Sequence, residues 1–203
     1  MNKIYIVGIG AGDPDYILPI AKRKIDSARV LIGGKRSLDT FARSDQKTFA
    51  ITGNLDATLE FIRQEINLSE IVVMVSGDPG FYSILDLIRK NFDSKILETI
   101  PGISSMQLAF ARLNLPWHDA RLISFHGRIS NDLEPNKTLG ILTDREYNSK
   151  TISQILIDHG WNSETRIAIL SRLSYPDESI IETNLQIAAN SEPIAHGILI
   201  VGY

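Results

Sequence analysis

The sequence predicts an α/β fold of two α/β domains, the first with a parallel sheet and the second with a mixed sheet. Short runs rich in Ile and Val alternate with segments of helical period, which is typical of parallel strands covered by helices. Residues 71–75 form an unbroken apolar run, as expected of a strand buried on both faces. The predicted strands at 180–184 and 197–201 leave room for only a short helix between them, which favours a mixed second sheet.

The first domain is predicted to alternate strands and helices along the chain. Its clearest helix begins after Asn54, a residue suited to the N-cap, and Leu55, Leu59, Ile62 and Ile66 then share one helical face. The predicted strands are residues 3–7, 30–32, 71–75 and 96–100, and the predicted helices are residues 16–27, 55–66, 84–92 and 104–113.

A change of pattern near residue 114 divides the chain, whose 203 residues suffice for two small domains. Pro116 cannot continue a helix, so residues 114–119 are predicted to be a hinge between a first domain at 1–113 and a second at 120–203. In the second domain a helix at 151–159 ends before Gly160. The predicted strands are residues 121–125, 138–142, 166–170, 180–184 and 197–201.

Composition excludes several classes of protein. The chain has no cysteine, which removes disulfides and thiolate metal sites, and its four histidines lack metal-ligand spacing, so no protein-bound metal is expected. A net charge of −3 gives no basic excess for nucleic acid. No apolar stretch approaches the roughly 20 residues that cross a bilayer, and the first residues do not resemble a signal peptide. We expect a cytoplasmic protein that binds neither nucleic acid nor membranes.

The first motif that could bind a ligand is at residues 8–14, directly after the first predicted strand. Gly8, Gly10 and Gly12 alternate, which lets the backbone turn tightly and approach a ligand closely. A dinucleotide site would need glycine where Asp13 stands, and no Walker A lysine follows. A plain glycine-rich turn is the alternative.

Two further motifs follow predicted strands of the same sheet, at residues 76–82 and 100–105. Ligands bind beyond the carboxyl ends of parallel strands, so both loops are in a suitable place. Asp78 puts a charge at the mouth of the most buried strand, and an Asx turn or a helix cap is its alternative role. Ser104 or Ser105 would cap the next helix, whose N-terminus suits a carboxylate.

The fourth motif is at residues 122–128, just past the predicted hinge. His126 and Arg128 flank a glycine at a strand end, where both side chains could face a ligand. The alternative is that Arg128 pairs with Asp132 or Glu134 in its own loop.

Together the four motifs resemble the tetrapyrrole methylases, enzymes that use S-adenosylmethionine (SAM), and the resemblance covers essentially the whole chain. It implies two α/β domains with SAM in the cleft between them, and S-adenosylhomocysteine as product. Residues 33–36, 76–82, 115–117 and 124–128 resemble the methylases that act on carbon 5 of a corrin precursor, cobalt-precorrin-7. A homodimer is also implied. Because the chain stops at Tyr203, the methylation of carbon 15 with decarboxylation is expected to belong to a separate enzyme.

The resemblance and the motifs together give a set of expected site residues. His126 or Asp13 would accept the proton that the reaction releases. Cations would bind the carboxylate arms of the tetrapyrrole, with arginine favoured for its bidentate fork. The expected cofactor-binding residues are Gly8, Gly10, Gly77, Asp78, Pro79, Tyr82, Ser104, Ser105 and Leu142, and the expected substrate-binding residues are Gly12, Pro14, Lys35, Arg36, Arg128 and Arg172.

Other functions are compatible with the same motifs. Within the fold, the alternatives are a diphthamide-pathway methylase and an rRNA ribose methylase, and the latter would need a basic face. A different class is a non-catalytic module that binds a nucleotide or a tetrapyrrole. Titration with SAM and with NADH separates these classes, because NADH binding without SAM binding contradicts a methylase.

Overall fold

The first unit, Met1–Ser104, is built on a five-stranded sheet in which every strand runs parallel to its neighbours. The structure is a computed structural model that describes residues 2–125, 133–135 and 137–203. The strand order is β3-β2-β4-β1-β5, so β1 and β4 are central. The strands are β1 Ile4–Gly8, β2 Val30–Gly33, β3 Lys47–Ala50, β4 Ile71–Val75 and β5 Leu97–Ile100.

Helices cover both faces of this sheet. Alternate residues of β1 pack into two separate apolar clusters, with Ile4 and Ile6 on one face and Tyr5 and Val7 on the other. The predicted cap at Asn54 is confirmed, since its side chain accepts a hydrogen bond from the Ala57 amide at 3.1 Å. The helices are α1 Pro19–Ser27, α2 Lys35–Phe41, α3 Leu55–Glu65 and α4 Leu85–Asn91, with short 3₁₀ turns at Pro14–Tyr16 and Ser94–Ile96.

The second unit, Ser105–Tyr203, holds a mixed sheet in the order β6-β7-β10-β8-β9. β6 and β7 are parallel, whereas every other neighbouring pair is antiparallel, so the predicted mixed sheet is confirmed. A positive φ of +91° at Gly160 agrees with its predicted place after a helix. The elements are α5 Ser105–Arg112, β6 Arg121–Ser124, β7 Leu139–Leu142, α6 Ser149–Asp158, β8 Arg166–Ser171, β9 Ser179–Asn184, α7 Leu185–Asn190 and β10 Ile198–Val201.

Two elements of the first unit were not predicted, α2 and β3. Lys47, Thr48 and Ala50 of β3 are exposed at the sheet edge, so this strand lacks the apolar run by which its neighbours were identified. The first helix also begins later than expected, at Pro19, because residues 14–16 form a 3₁₀ turn and Leu18 is extended. The exposure of β3 thus hides it from an analysis of apolar runs, whereas the late start of α1 follows from the local backbone geometry of residues 14–18.

The contacts place α5 with the second unit, whereas the expected division at 114–119 assigned this helix to the first. The side chains of Met106 and Phe110 on α5 pack against Gly140 of β7, which explains the grouping. A hinge at residues 114–119 stays a prediction. In the part of the chain that the structure describes, no helix has the length and apolar character needed to cross a membrane.

Candidate functional site

The loops that follow β1, β4 and β5 lie together, because these strands are neighbours in a parallel sheet and end at the same edge. We call residues 9–13 the β1 loop, residues 76–84 the β4 loop and residues 101–104 the β5 loop, and the group the three edge loops. The amide of Gly77 donates to the carbonyl of Gly10 at 2.7 Å, which joins the first two loops. The sheet therefore brings together the three motifs that the sequence predicted to share one edge.

Glycines allow the three edge loops to pack backbone against backbone. A Cβ on Gly8 would lie 2.6 Å from the carbonyl oxygen of Gly77 and 2.6 Å from the nitrogen of Gly102. A Cβ on Gly102 would lie 2.2 Å from the same Gly77 oxygen. Gly10 and Gly77 also have positive φ values of +81° and +71°, which side-chain-bearing residues rarely adopt. Glycine at these positions is therefore required by the packing of the loops themselves.

Asp78 connects two of the three edge loops through its carboxylate. Its Oδ1 accepts the amide of Gly80 at 2.7 Å, which is the Asx turn that the sequence left open as an alternative. Its Oδ2 accepts the amide of Gly102 at 3.0 Å, and this second bond crosses from the β4 loop to the β5 loop. The side chain is half-buried, and Pro79 beside it is buried. Sequence reasoning missed the second bond, because its partners are 24 residues apart.

The β1 loop continues into a short turn that Asp13 caps. Asp13 Oδ1 accepts the amide of Asp15 at 2.8 Å, and the turn begins at the exposed residue Pro14. Gly12 has φ of +139°, so it also uses a conformation that favours glycine. Asp13 is half-buried in the β1 loop, just beyond the carboxyl end of β1. It is one of the two residues that the sequence predicted could accept a proton.

Tyr82 is an exposed aromatic residue with a strained backbone at the end of the β4 loop. Its φ is +49°, which is unusual for a bulky side chain and is typical of functional positions. Its ring meets Phe81 edge-to-face with centroids 4.9 Å apart, and 48% of Tyr82 is exposed. At the end of the β5 loop, Ser104 is buried, and the half-buried Ser105 begins α5.

Lys35 and Arg36 begin α2, immediately beyond the carboxyl end of β2. Since β2 lies beside β4, both residues are at the same edge of the sheet as the three edge loops. Both side chains are exposed. The first sheet thus combines glycine loops, carboxylates and cations along one edge.

The second unit places Leu142 and Arg172 at one edge of its own sheet. Leu142 ends β7 and Arg172 follows β8, and the first residues of β10 lie between them because β10 runs the opposite way. Arg172 has φ of +55°, and its guanidinium lies 4.4 Å from the Tyr175 ring centroid.

Two ion pairs hold the segment after β8. Arg172 Nε lies 2.9 Å and 3.1 Å from the two carboxylate oxygens of Asp177, and this hydrogen bonding raises the pKa of Arg172 and lowers the pKa of Asp177. Arg112 binds Glu178 with Nε to Oε1 at 2.7 Å. Hydrogen bonding to Arg112 lowers the pKa of Glu178, although burial opposes the change. Arg172 was expected to bind substrate, and its guanidinium here already contacts an acidic partner.

His126 and Arg128 lie outside the described residues. A different histidine, His196, precedes β10 at the same edge of the second sheet, exposed and with φ of +54°. The adjacent Gly197 is bound by Thr143, whose Oγ1 accepts the Gly197 amide at 2.7 Å. A cavity of about 560 Å³ is lined by Asp144, Arg145, Glu146 and His196. Sequence reasoning missed His196, which stands directly before the strand predicted at 197–201.

The amino edge of the first sheet carries a smaller cavity of about 300 Å³, beside Lys24 and Glu70. Lys24 Nζ lies 3.0 Å from a Glu70 oxygen and 3.3 Å from the centroid of the Tyr5 ring. These contacts pair Lys24 with Glu70 in the cavity wall, which is typical of a structural cluster. Among the described residues, no group of three or more His, Asp or Glu side chains could hold a metal ion.

An α/β unit with glycine-rich loops at the carboxyl edge of a parallel sheet is the architecture of an enzyme that binds a small-molecule cofactor. The particular family is shown by its family model, Tetrapyrrole (Corrin/Porphyrin) Methylases, which matches residues 3–189. The chain belongs to the tetrapyrrole methylases.

Two curated relatives are similar along most of the chain. The probable cobalt-precorrin-7 C(5)-methyltransferase of Methanocaldococcus jannaschii is 34% identical over 198 residues, which cover 93% of this chain and 92% of the relative. The cobalt-precorrin-7 C(5)-methyltransferase of Salmonella typhimurium is 31% identical over 157 residues, covering 76% of this chain and 78% of the relative.

Two solved structures share the fold. The precorrin-6Y methylase of Archaeoglobus fulgidus has a TM-score of 0.77 at 23% identity, covering 98% of this chain and 97% of that one. The uroporphyrin-III C-methyl transferase of Thermus thermophilus, complexed with S-adenyl homocysteine, has a TM-score of 0.78 at 21% identity, covering 99% and 92%. The parallel sheet of the first unit and the mixed sheet of the second are therefore those of the tetrapyrrole methylase fold.

Proposed function

We propose that this chain transfers the methyl group of SAM to carbon 5 of cobalt-precorrin-7 in cobalamin biosynthesis. The observation that carries the proposal is the similarity to the Methanocaldococcus jannaschii relative, which extends along nearly the full length of both chains. The Salmonella typhimurium relative supports the same substrate. The three edge loops support a small-molecule site at the carboxyl edge of the first sheet.

The chemistry of the three edge loops fits SAM. The edge offers backbone amides and carbonyls, brought close by glycines, together with the carboxylates of Asp13 and Asp78. Backbone carbonyls and carboxylates suit a ligand that carries positive charge on its sulfonium and ammonium groups. When bound, SAM would supply an electrophilic methyl group, which a nucleophilic ring carbon attacks in line with the bond to sulfur while S-adenosylhomocysteine leaves. The residues proposed to hold SAM are Gly8, Gly10, Gly77, Ser104 and Ser105, and Leu142 is proposed as a further cofactor-binding residue.

The chain's own residues mainly orient the two reactants and exclude water. The ring carbon of the precursor is already electron-rich, so the protein need not generate a strong nucleophile. Holding two reactants in line about 3–3.5 Å apart supplies a large part of the rate enhancement. Loops fixed by backbone bonds, such as Gly77 to Gly10, suit this role because they lose little freedom when the ligand binds.

Asp13 is proposed to take up the proton that the reaction releases, with His126 as the second candidate. Asp13 is half-buried in the β1 loop, and its Oδ1 already accepts the Asp15 amide. Asp13→Asn keeps an oxygen that can cap the turn but removes the base. If Asp13 is the base, kcat should fall about 100-fold or more. If kcat in Asp13→Asn equals that of the parent, Asp13 is not the base and His126 is the remaining candidate.

The carboxylate arms of the substrate are proposed to bind cations, with Arg128 as the main contact and Lys35 and Arg36 as further ones. A charge-assisted bond of this kind corresponds to roughly 10- to 100-fold in affinity. Arg128→Ala should therefore raise the apparent Kd for substrate by that factor and leave SAM affinity unchanged. Arg128→Lys should recover part of the loss, since an ammonium lacks the bidentate fork. Parent-like substrate affinity in Arg128→Ala would contradict this assignment.

The experiment that tests the function is a methyl-transfer assay with cobalt-precorrin-7 and SAM labelled with carbon-13 at the methyl group. The proposal expects one label per ring, located at carbon 5 by NMR. Precorrin-7 without cobalt, tested in parallel, shows whether the metal in the substrate matters. Transfer to another carbon, or NADH binding without SAM binding, would contradict the proposal.

We further propose that the protein is a cytoplasmic homodimer that works with a separate enzyme for methylation of carbon 15. The family resemblance supports the dimer. Light scattering coupled to size exclusion tests it, since a dimer would have twice the chain mass of 22.6 kDa. A mass equal to one chain would contradict the dimer.

A further inference from the structure

We propose that Asp177 competes with the carboxylate arms of the substrate for the guanidinium of Arg172, and thereby weakens the binding of both the substrate and the methylated product. The inference rests on the proposed function, because it names how affinity for the tetrapyrrole is adjusted at one edge of the second sheet. The observation that carries it is an arginine at a strand end whose guanidinium is already bound by an acidic residue of its own loop.

The loop after β8 is folded so that Asp177 returns to Arg172. The amide of Tyr175 donates to the Arg172 carbonyl at 3.0 Å, and the amide of Glu178 donates to the Tyr175 carbonyl at 2.9 Å, which makes two consecutive turns. Glu178 is itself held, since its Oε2 accepts the Ser174 amide at 2.6 Å. The backbone therefore presents Asp177 to the guanidinium, and the ion pair forms with little loss of conformational freedom.

The backbone at Arg172 indicates that the position supplies a side chain rather than a turn alone. Its φ is +55°, in the left-handed region where glycine is unstrained and a longer residue costs free energy. The pair with Asp177 does not offset this cost, because 48% of the Arg172 side chain and 64% of the Asp177 side chain are exposed, and exposed pairs contribute little to stability. A ligand therefore explains the arginine better than the fold does.

The guanidinium of Arg172 retains room for a second anion. Asp177 binds its Nε atom, with oxygens at 2.9 and 3.1 Å, and no hydrogen bond of either Nη atom is found among the described residues. The guanidinium carbon lies 4.4 Å from the centroid of the Tyr175 ring, a contact that limits its movement. A carboxylate arm can reach the Nη atoms, but it meets the negative charge of Asp177 beside them. Two carboxylates then share one positive charge.

This competition has the same consequence for substrate and product. Methylation at carbon 5 leaves the carboxylate arms unchanged, so a cation that binds the substrate through an arm binds the product equally well. An acidic residue that shares the cation lowers both affinities, which favours release of the product. Asp177 therefore adjusts affinity without taking part in the chemical step.

Asp45 offers a matched control in the first unit. It binds Arg43, with Nε to Oδ1 at 2.9 Å and Nη2 to Oδ2 at 2.8 Å. The Arg43 side chain is 47% exposed and that of Asp45 is 67% exposed, close to the values of the other pair. The pair lies between α2 and β3, at the amino edge of the first sheet. Asp45→Asn therefore removes one negative charge from an equally exposed pair on a different edge.

The test measures the Kd of the methylated product by calorimetry and the KM for cobalt-precorrin-7 in the methyl-transfer assay. Asp177→Asn keeps an oxygen that can accept from Arg172 but removes the charge. Both constants should fall about 2- to 5-fold in this variant, the range that an exposed ion pair implies. Asp45→Asn should match the parent. If Asp177 only stabilises its loop, Asp177→Asn should raise both constants or leave them unchanged, and either result would overturn the proposal.

The double variant with Arg172→Ala shows whether the effect acts through the guanidinium. Without that cation the arm has no partner at this edge, so adding Asp177→Asn should change neither constant. A decrease as large as in the single variant would mean that Asp177 acts through long-range charge, which also overturns the proposal. Methyl transfer to carbon 5 by the parent keeps the proposed function intact in each of these cases. If the parent transfers no methyl group to cobalt-precorrin-7, the proposed function fails, and the competition fails with it.

Discussion

The carboxyl edges of the two sheets are built in different ways. In the first unit three adjacent parallel strands end side by side, and their loops are joined by backbone bonds and by glycine packing. In the second unit β10 runs against β7 and β8, so the loops after those two strands are separated by the start of another strand. Side-chain ion pairs, such as Arg172 to Asp177, lie at that edge.

Strand direction determines which groups can form a binding edge. A parallel sheet collects several loops at one place, so the main chain can form the site and small residues are required. A mixed sheet separates its loops, so long side chains make the contacts. We therefore expect substitutions at glycine to matter most in the first unit and substitutions at charged residues to matter most for substrate binding in the second.

The largest effect is expected for Gly102→Ala. The new Cβ would lie 2.2 Å from the Gly77 carbonyl oxygen, and the atoms it meets are backbone atoms that cannot rotate away. The free energy of unfolding should fall by about 3 kcal/mol, as for a severe steric clash, and S-adenosylhomocysteine affinity should fall with it.

Gly53→Ala is the control for this prediction, because no described atom lies within 4 Å of a Cβ built there. It should change the free energy of unfolding by less than about 0.5 kcal/mol in urea denaturation. Equal stability of the two variants would mean that the three edge loops are not tightly packed.

A smaller effect is expected for Gly140→Ala in the second unit. Its Cβ would meet the Met106 sulfur at 2.6 Å and a Leu122 methyl at 2.8 Å, which are ends of flexible side chains. These can move, so the loss should be about 1–2 kcal/mol in the same denaturation experiment. A loss larger than that of Gly102→Ala would contradict the contrast between backbone and side-chain packing.

Glu178 gives a pH-dependent prediction for the edge of the second unit. Hydrogen bonding to Arg112 lowers the pKa of this carboxyl, so its contribution is present above its pKa in the unfolded chain and is lost as pH falls through its folded pKa. Glu178→Gln should lower the free energy of unfolding at neutral pH by about 1 kcal/mol.

The same variant should flatten the fall of stability below about pH 5, where carboxylates begin to protonate. Glu192→Gln is the control, since Glu192 is an exposed residue of the same unit. If the free energy of unfolding falls equally at acid pH in the parent and in Glu178→Gln, the pair of Arg112 and Glu178 contributes no pH dependence.

The smallest effect on stability is expected for Arg172→Ala. Its pair with Asp177 is exposed, with 48% of the Arg172 side chain and 64% of the Asp177 side chain accessible, so the free energy of unfolding should be nearly unchanged in urea denaturation. The KM for substrate should rise less than in Arg128→Ala, because Asp177 already neutralises Arg172. Asp177→Asn releases the guanidinium and serves as the complementary variant. A KM increase equal to that of Arg128→Ala would place a substrate carboxylate at the end of β8.

The sequence was sufficient for features that repeat along the chain or depend on near neighbours. The apolar run of β4, the cap at Asn54 and the glycines after β1 all follow from local patterns, and the structure has them in place. The edge strand β3 was missed because most of its residues are exposed, so it lacks an apolar run.

Contacts between distant residues could not be predicted from the sequence. The bond from Asp78 to Gly102 needs two loops to meet, and only the strand order of the sheet brings them together. Arg172 and Asp177 are close in sequence, yet their pairing depends on the left-handed backbone at Arg172 and Ser174, which local charge patterns do not reveal. The expected sites at His126 and Arg128 lie outside the described residues and stay predictions.

We propose that the methyl donor binds at the carboxyl edge of the first sheet. Hydrogen exchange measured with and without S-adenosylhomocysteine tests it most directly. We expect slower exchange across residues 8–14, 76–83 and 101–105 when the ligand is present. Slower exchange confined to the amino-edge cavity beside Lys24, Arg29 and Glu70, with the three edge loops unchanged, would contradict it.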